Sequence, residues 1–267
     1  MRALRDRLRL KLTAAISKPQ SVVEELEVPI DQCVHFCGFR YGRGEYNPYE
    51  TYLLELTRKV PLVVARRRFI EFLQYYRPRH MAEALGLRTL SKEYPLWIYP
   101  WRRLDQNAFT LQHAWCATSD TCPDILTHFS DEGVRSFRID EEFVWLERAL
   151  HSIAHNGYQP ENNTSFVSTL QLRRSDNRTA YLLLDGNHRV AAMSALGQKT
   201  VRAHQRTDHI ITEVDCDTWF GVSAAVFTRH DALRLFNAYF NGNLHYRTVT
   251  TPAQILAPVA WTALYFS

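Results

Sequence analysis

Apolar residues recur at helical spacing along much of the chain. Leu4, Leu8 and Leu12 stand four apart in a basic opening stretch and predict an amphipathic helix reaching about residue 18. Ser21, followed by Glu24 and Glu25, reads as the cap of a second, short turn of helix. Val34 to Gly42 brings β-prone residues and glycines, hence a strand that breaks into a loop from Gly42 to Pro48. Apolar positions three or four apart from Pro48 to Leu56 and from Arg66 to Tyr76 predict two helices, with Pro61 and Pro78 at their boundaries. Met81 to Leu85 is a third, stopped by Gly86.

Prolines and aromatics crowd the segment from Tyr94 to Arg103, which excludes both a regular helix and a central strand. An ordered, extended connection remains. It serves either as aromatic packing between domains or as a ligand-lining wall where Arg102 or Arg103 meets an anion. Residues 104–137 lack strong periodicity, and turn signals at Ser119-Asp120 and from Ser130 to Gly133 place a domain boundary there.

Beyond Asp140 the pattern sharpens. Phe143, Leu146, Leu150 and Ile153 form one helical stripe, and Asn156-Gly157 supplies its stop. Phe166 to Leu172 and Tyr181 to Leu184 flank the turn at Ser175-Asp176-Asn177, which predicts a hairpin. The chain then reads Asp185-Gly186-Asn187-His188-Arg189, enters an alanine-rich helix that Gly197 closes, and continues into a strand from Lys199 to His204. In the last 60 or so residues, Asp231 to Tyr239 is the one convincing helix.

Composition narrows the class without naming it. An apolar fraction of 46% against 22% charged residues fits a folded chain rather than a disordered one. A formal charge of +4 is too small a surplus to argue for nucleic acid by itself. Basic runs at Arg2 to Lys11 and at Arg66 to Arg68 read as solvated helix faces or as contacts for a polyanion or membrane surface. No run reaches the roughly 18 apolar residues of a membrane span, and Ile255 to Phe266 is too short. Five cysteines and no apolar leader after Met1 predict reduced thiols and a cytoplasmic location. Cys33, His35 and Cys37 lack a second ligand pair at finger-like spacing, so no metal site is expected there.

The junction at Gly186 carries the candidate chemistry. A strand, a glycine and a helix N-terminus adjoin there, so backbone N–H groups and the positive end of the helix dipole meet at one point. Such a point favours a phosphate or another anion, and His188 and Arg189 add donors beside it. Glycine permits close backbone approach at this position.

This loop, its alanine-rich helix, the following Leu196-Gly197 and strand, and the upstream helix ending in Asn156-Gly157 before Pro160 together resemble the ParB/sulfiredoxin superfamily. The resemblance implies an α/β (α+β) module over about residues 131–210, with a mostly helical, aromatic-rich region at 1–130 before it and a helical extension at 211–267. It also implies a nucleotide whose phosphates sit on Gly186, Asn187, His188 and Arg189. Sulfiredoxin-like members place a reactive cysteine where this chain has Asn187, which argues against that chemistry. Partition proteins follow the box with a helix-turn-helix reader that is not visible after His204.

Closest in motif are the superfamily's small-molecule kinases, which resemble this chain in the loop and in an acidic residue before the upstream helix. The expectation is therefore a phosphotransferase using ATP or ADP with Mg2+, acting on a small-molecule acceptor. Glu141 or Glu142 would be its base, with Asp185 beside the loop. Each of these residues also has a plain structural reading. Asp140, Glu141 and Glu142 suit a helix cap, Asp185 a turn, a metal or the positioning of Arg189, and His188 simple packing. A non-catalytic nucleotide- or DNA-binding module is the alternative function.

Overall fold

Among the described residues, six strands form one mixed sheet in a mixed α/β structure. They are β1 (Val23–Pro29), β2 (Cys33–Val34), β3 (Val167–Arg173), β4 (Thr179–Asp185), β5 (Thr200–Arg206) and β6 (Ile211–Thr212). The computed structural model describes residues 23–76, 78–96, 98–102, 138–161, 166–206 and 210–243. The helix expected before residue 18, the turn signals between Ser119 and Gly133, Arg103, Cys116, Cys122 and the Ile255 to Phe266 segment lie outside those residues.

The sheet order is β1-β5-β3-β4-β2, with β6 also on β3. The expected hairpin is β3–β4, antiparallel from Ser168↔Asp185 to Arg173↔Thr179. Asn177 supplies the left-handed residue of its turn at φ 64°, and Arg178 N–H bonds the Asp176 side chain at 3.1 Å. β5 runs parallel to the first half of β3, and β6 parallel to its end.

The first strand corrects the cap reading of Ser21 and the two glutamates. Glu24 and Glu25 belong to β1, which pairs antiparallel with β5 from Val23↔Arg206 to Pro29↔Thr200. The segment alternates, with Val28 buried and Glu25 and Glu27 exposed. Glu25 meets Arg202 at 2.5 Å and Glu27 accepts from the Thr200 hydroxyl, so the acids are cross-strand partners of an edge.

Seven helices follow in chain order among the described residues: α1 (Pro48–Thr57), α2 (Leu62–Tyr75), α3 (Met81–Ala84), α4 (Arg138–Asn156), α5 (Asn187–Ala195), α6 (Phe220–Ser223) and α7 (Arg229–Asn241). Asn47 caps α1, its side chain accepting from Tyr49 N at 3.1 Å and Glu50 N at 3.3 Å, with Pro48 at the first helical position. Thr228 caps α7 in the same way through Asp231 N. Gly157, at φ 72°, takes its N–H back to Ile153 O and ends α4.

Small residues seat α5. Val190, Ala191, Ala192 and Met193 are fully buried, and the alanines let the helix lie close between α4 and α1. Rings from the first half of the chain complete this layer: Tyr52 and Phe69 lie 5.2 and 5.6 Å from Phe143 of α4, centroid to centroid. The boundary expected near residue 130 therefore divides neither sheet nor core, since β1, β2, α1 and α2 build directly onto the later elements. Local periodicity carries no trace of such long-range pairing.

The aromatic connection from Tyr94 is packing in its described part. Trp101 lies against Tyr99, Trp219, Phe236 and Tyr239, all buried. No described helix is long and apolar enough to cross a membrane.

Candidate functional site

The site grows from the end of β4. Asp185 closes the strand, Gly186 turns the chain at φ 93° and ψ 19°, and α5 begins at the next residue. Only glycine fits this turn. A Cβ there would stand 2.8 Å from Val167 Cγ2 and 3.0 Å from an Arg189 guanidinium nitrogen, in addition to the strain of a left-handed backbone. The glycine N-cap has no side chain with which to satisfy the N–H groups of the first turn.

Asp185 touches both the turn and the arginine. Oδ1 accepts from Gly186 N at 2.7 Å, and Oδ2 accepts from Arg189 Nη2 at 3.1 Å. One carboxylate thereby fixes both the turn and the arginine that lies under it. The Arg189 side chain is only 15% exposed, so its guanidinium is held near Gly186 rather than waving in solvent.

His188 points to a different partner. Its Nε2 donates to Glu142 Oε1 at 2.5 Å, and Glu142 is almost fully buried on α4. Nε2–H bound to a carboxylate leaves Nδ1 as the basic atom of the ring. Of the expected acids, the fold thus brings Glu142 to the loop; Glu141 is half-buried and Asp140 exposed. Glu142 precedes Leu146 by four residues and shares the flank of the apolar stripe, a signal that separates it from its neighbour.

Two aromatic rings flank His188. Tyr49 presents an edge-on ring 5.9 Å from His188, and Trp145 a tilted one at 6.0 Å. The Tyr49 phenol is raised well above its ordinary range, first by burial and then by the charge of Glu142. His35, 5.2 Å from the Tyr49 ring, is buried, and burial first, then the electrostatic effect of neighbouring His188, lowers it to about 3. It is a neutral histidine whose Nδ1 accepts from Cys37 N at 3.1 Å.

Two further contacts tie the loop to α1 and to the chain after β2. Tyr41 donates its hydroxyl to Asn187 Oδ1 at 3.3 Å. The acceptor end of that amide is therefore engaged, and its two N–H donors lie at the start of α5. Glu50 accepts from Ser194 Oγ at 2.7 Å and from Gly42 N at 3.1 Å. Burial raises the Glu50 carboxyl, and those two donors offset part of the effect. Sequence reasoning missed Tyr41, Tyr49, Glu50, His35 and Trp145, because all but Trp145 reach the site from more than a hundred residues away.

Arg66 pairs with Glu147 at 2.7 Å, Arg68 with Glu55 at 2.7 Å, and Arg67 with Glu71 at 3.8 Å. That basic run is matched by carboxylates on its own helical layer. Cys33 and Cys37 are buried free thiols pushed up by burial, and no group of three or more His, Cys, Asp or Glu among the described residues is arranged to hold a metal. No family model matches the chain, and no curated protein matches it.

Proposed function

We propose that this chain is a ParB/sulfiredoxin-like nucleotide-binding protein that transfers a phosphoryl group from ATP or ADP to the hydroxyl of a small molecule. The observation that carries the reading is the conjunction at the start of α5 of three things. A left-handed glycine opens the helix, an arginine is held beside it, and a histidine is oriented by a buried glutamate.

In this reading the nucleotide phosphates meet the first-turn N–H groups of α5, the amide N–H groups of Asn187 and the Arg189 guanidinium. His188, held through Nε2 by Glu142, takes the acceptor's hydroxyl proton on Nδ1. The hydroxyl oxygen attacks the terminal phosphorus, the bond to the bridging oxygen breaks, and the nucleotide leaves one phosphate shorter. Glu142 is the orienting carboxylate and His188 the base, which refines the expectation that Glu141 or Glu142 removes the proton directly.

Magnesium fits this site as a companion of the phosphates. Mg2+ in nucleotide sites uses one or two carboxylates plus phosphate oxygens, and Asp185, 63% exposed at the side chain, is the carboxylate that would hold it here. It would supply charge neutralisation on the transferring group. Titration calorimetry with ATP, ADP and CTP in the presence of magnesium tests the proposal. Saturable heat with at least one of ATP and ADP, together with phosphoryl transfer to a hydroxyl compound, supports it. Absence of binding by all three overturns it, and binding without turnover reduces it to a non-catalytic nucleotide module.

A further inference from the structure

Tryptophans in the described part of this protein divide sharply by burial. Trp101 and Trp219 are 8% and 5% exposed within the aromatic cluster around α7, whereas Trp145 is 46% exposed. The difference follows from its place on α4. Phe143, Leu146 and Ile153 carry the buried stripe, while Trp145 stands three residues, one helical turn, after Glu142. The indole therefore stands beside the flank from which Glu142 reaches His188. Its ring centroid lies 6.0 Å from that of His188 at 38°, and Val144 next to it is also exposed.

An apolar ring of this size left in water loses the gain that burial gives the other two. Here the exposed face belongs to a site whose other components are donors and charges: Asn187, His188, Arg189 and the N-terminus of α5. A ligand that satisfies both parts needs an anionic group for the helix end and a flat, apolar, π-faced group for the indole. A nucleotide has both, separated by its sugar. We infer that Trp145 is the stacking platform for the nucleobase of the bound nucleotide.

This inference rests on the loop reading of the previous subsection and adds its base-recognition element. Stacking on one ring tolerates any base, so Trp145 sets affinity for nucleotides over bare phosphates more than it selects one base.

The experiment compares the wild-type chain with Trp145→Leu and Trp145→Phe, each titrated with Mg-ATP and, separately, with magnesium tripolyphosphate. The inference expects Trp145→Leu to weaken ATP by about tenfold or more. Tripolyphosphate affinity should stay unchanged, and Trp145→Phe, which keeps a ring, should recover much of the ATP loss. ATP should also quench tryptophan emission in the wild type, with most of that change absent from Trp145→Leu, while tripolyphosphate leaves emission unaltered. Equal ATP affinity in all three proteins overturns the stacking role and leaves the loop reading standing. Parallel weakening of ATP and tripolyphosphate overturns it in favour of a structural role for the ring. Failure of the wild type to bind either compound overturns the loop reading itself, and the platform with it.

Discussion

His188 and Glu142 meet at 2.5 Å, joining the beginnings of two helices that lie 46 residues apart in the chain. The carboxylate is buried and the imidazole is part-exposed, so the pair is anchored at one end and open at the other. That asymmetry suits a proton carrier held in one tautomer by a partner that does not itself meet solvent.

Removing either member has separable effects. We expect His188→Ala to destabilise the fold by about 1–3 kcal/mol in urea titration, because Glu142 loses a charge-assisted donor in a buried position. Glu142→Gln should leave ATP affinity near wild type while lowering the turnover number by about 10²–10⁴, the range of a misoriented general base. A loss confined to KM would point to a packing role instead.

The turn at Gly186 makes a steric prediction that involves a second residue. Gly186→Ala is expected to cost about 1–3 kcal/mol, from the left-handed backbone together with the 2.8 Å approach to Val167 Cγ2. Val167→Ala removes that methyl, so the double variant should be less destabilised than the sum of the two single changes. Strict additivity in denaturation midpoints would show that Val167 does not limit the turn.

Much of this loop was legible in the sequence because it is local. Strand end, glycine, polar donors and alanine-rich helix follow one another from Asp185 to Ala195, and each feature predicts its neighbour. The hairpin and α4 were legible for the same reason. What stayed hidden depends on contacts across the chain: Glu24 and Glu25 look like helix-cap acids until β5 stands beside them, and Tyr49 and His35 carry no local mark of a site. The choice between Glu141 and Glu142 lay in between, since the apolar stripe already favours the second.

Acid sensitivity follows from His35. Its pKa is lowered from 6.5 to about 3 by burial and by His188, so the folded chain takes up this proton less readily than the unfolded one. The contribution is present above the unfolded value and is lost as pH falls from about 6.5 towards 3. Glu50 acts in the opposite sense: its raised carboxyl favours the fold at low pH, and that contribution is lost as pH rises through the raised value. We expect His35→Gln to flatten the acid limb of stability against pH, measured by chemical denaturation from pH 3 to 7. An unchanged limb would mean that His35 is protonated in the folded chain.

Arg189 offers the most direct test, because its guanidinium is held beside Gly186 by the carboxylate of Asp185. Melting temperature is measured for wild type and Arg189→Ala with and without saturating Mg-ATP or Mg-ADP; a ligand present at a hundred times its Kd adds about 2.7 kcal/mol of stability. A clear upward shift is expected in the wild type, and none or a small fraction of it in Arg189→Ala, each measured against the same protein without nucleotide. An equal shift in both proteins, or no shift in the wild type, would contradict the assignment of nucleotide phosphates to this loop.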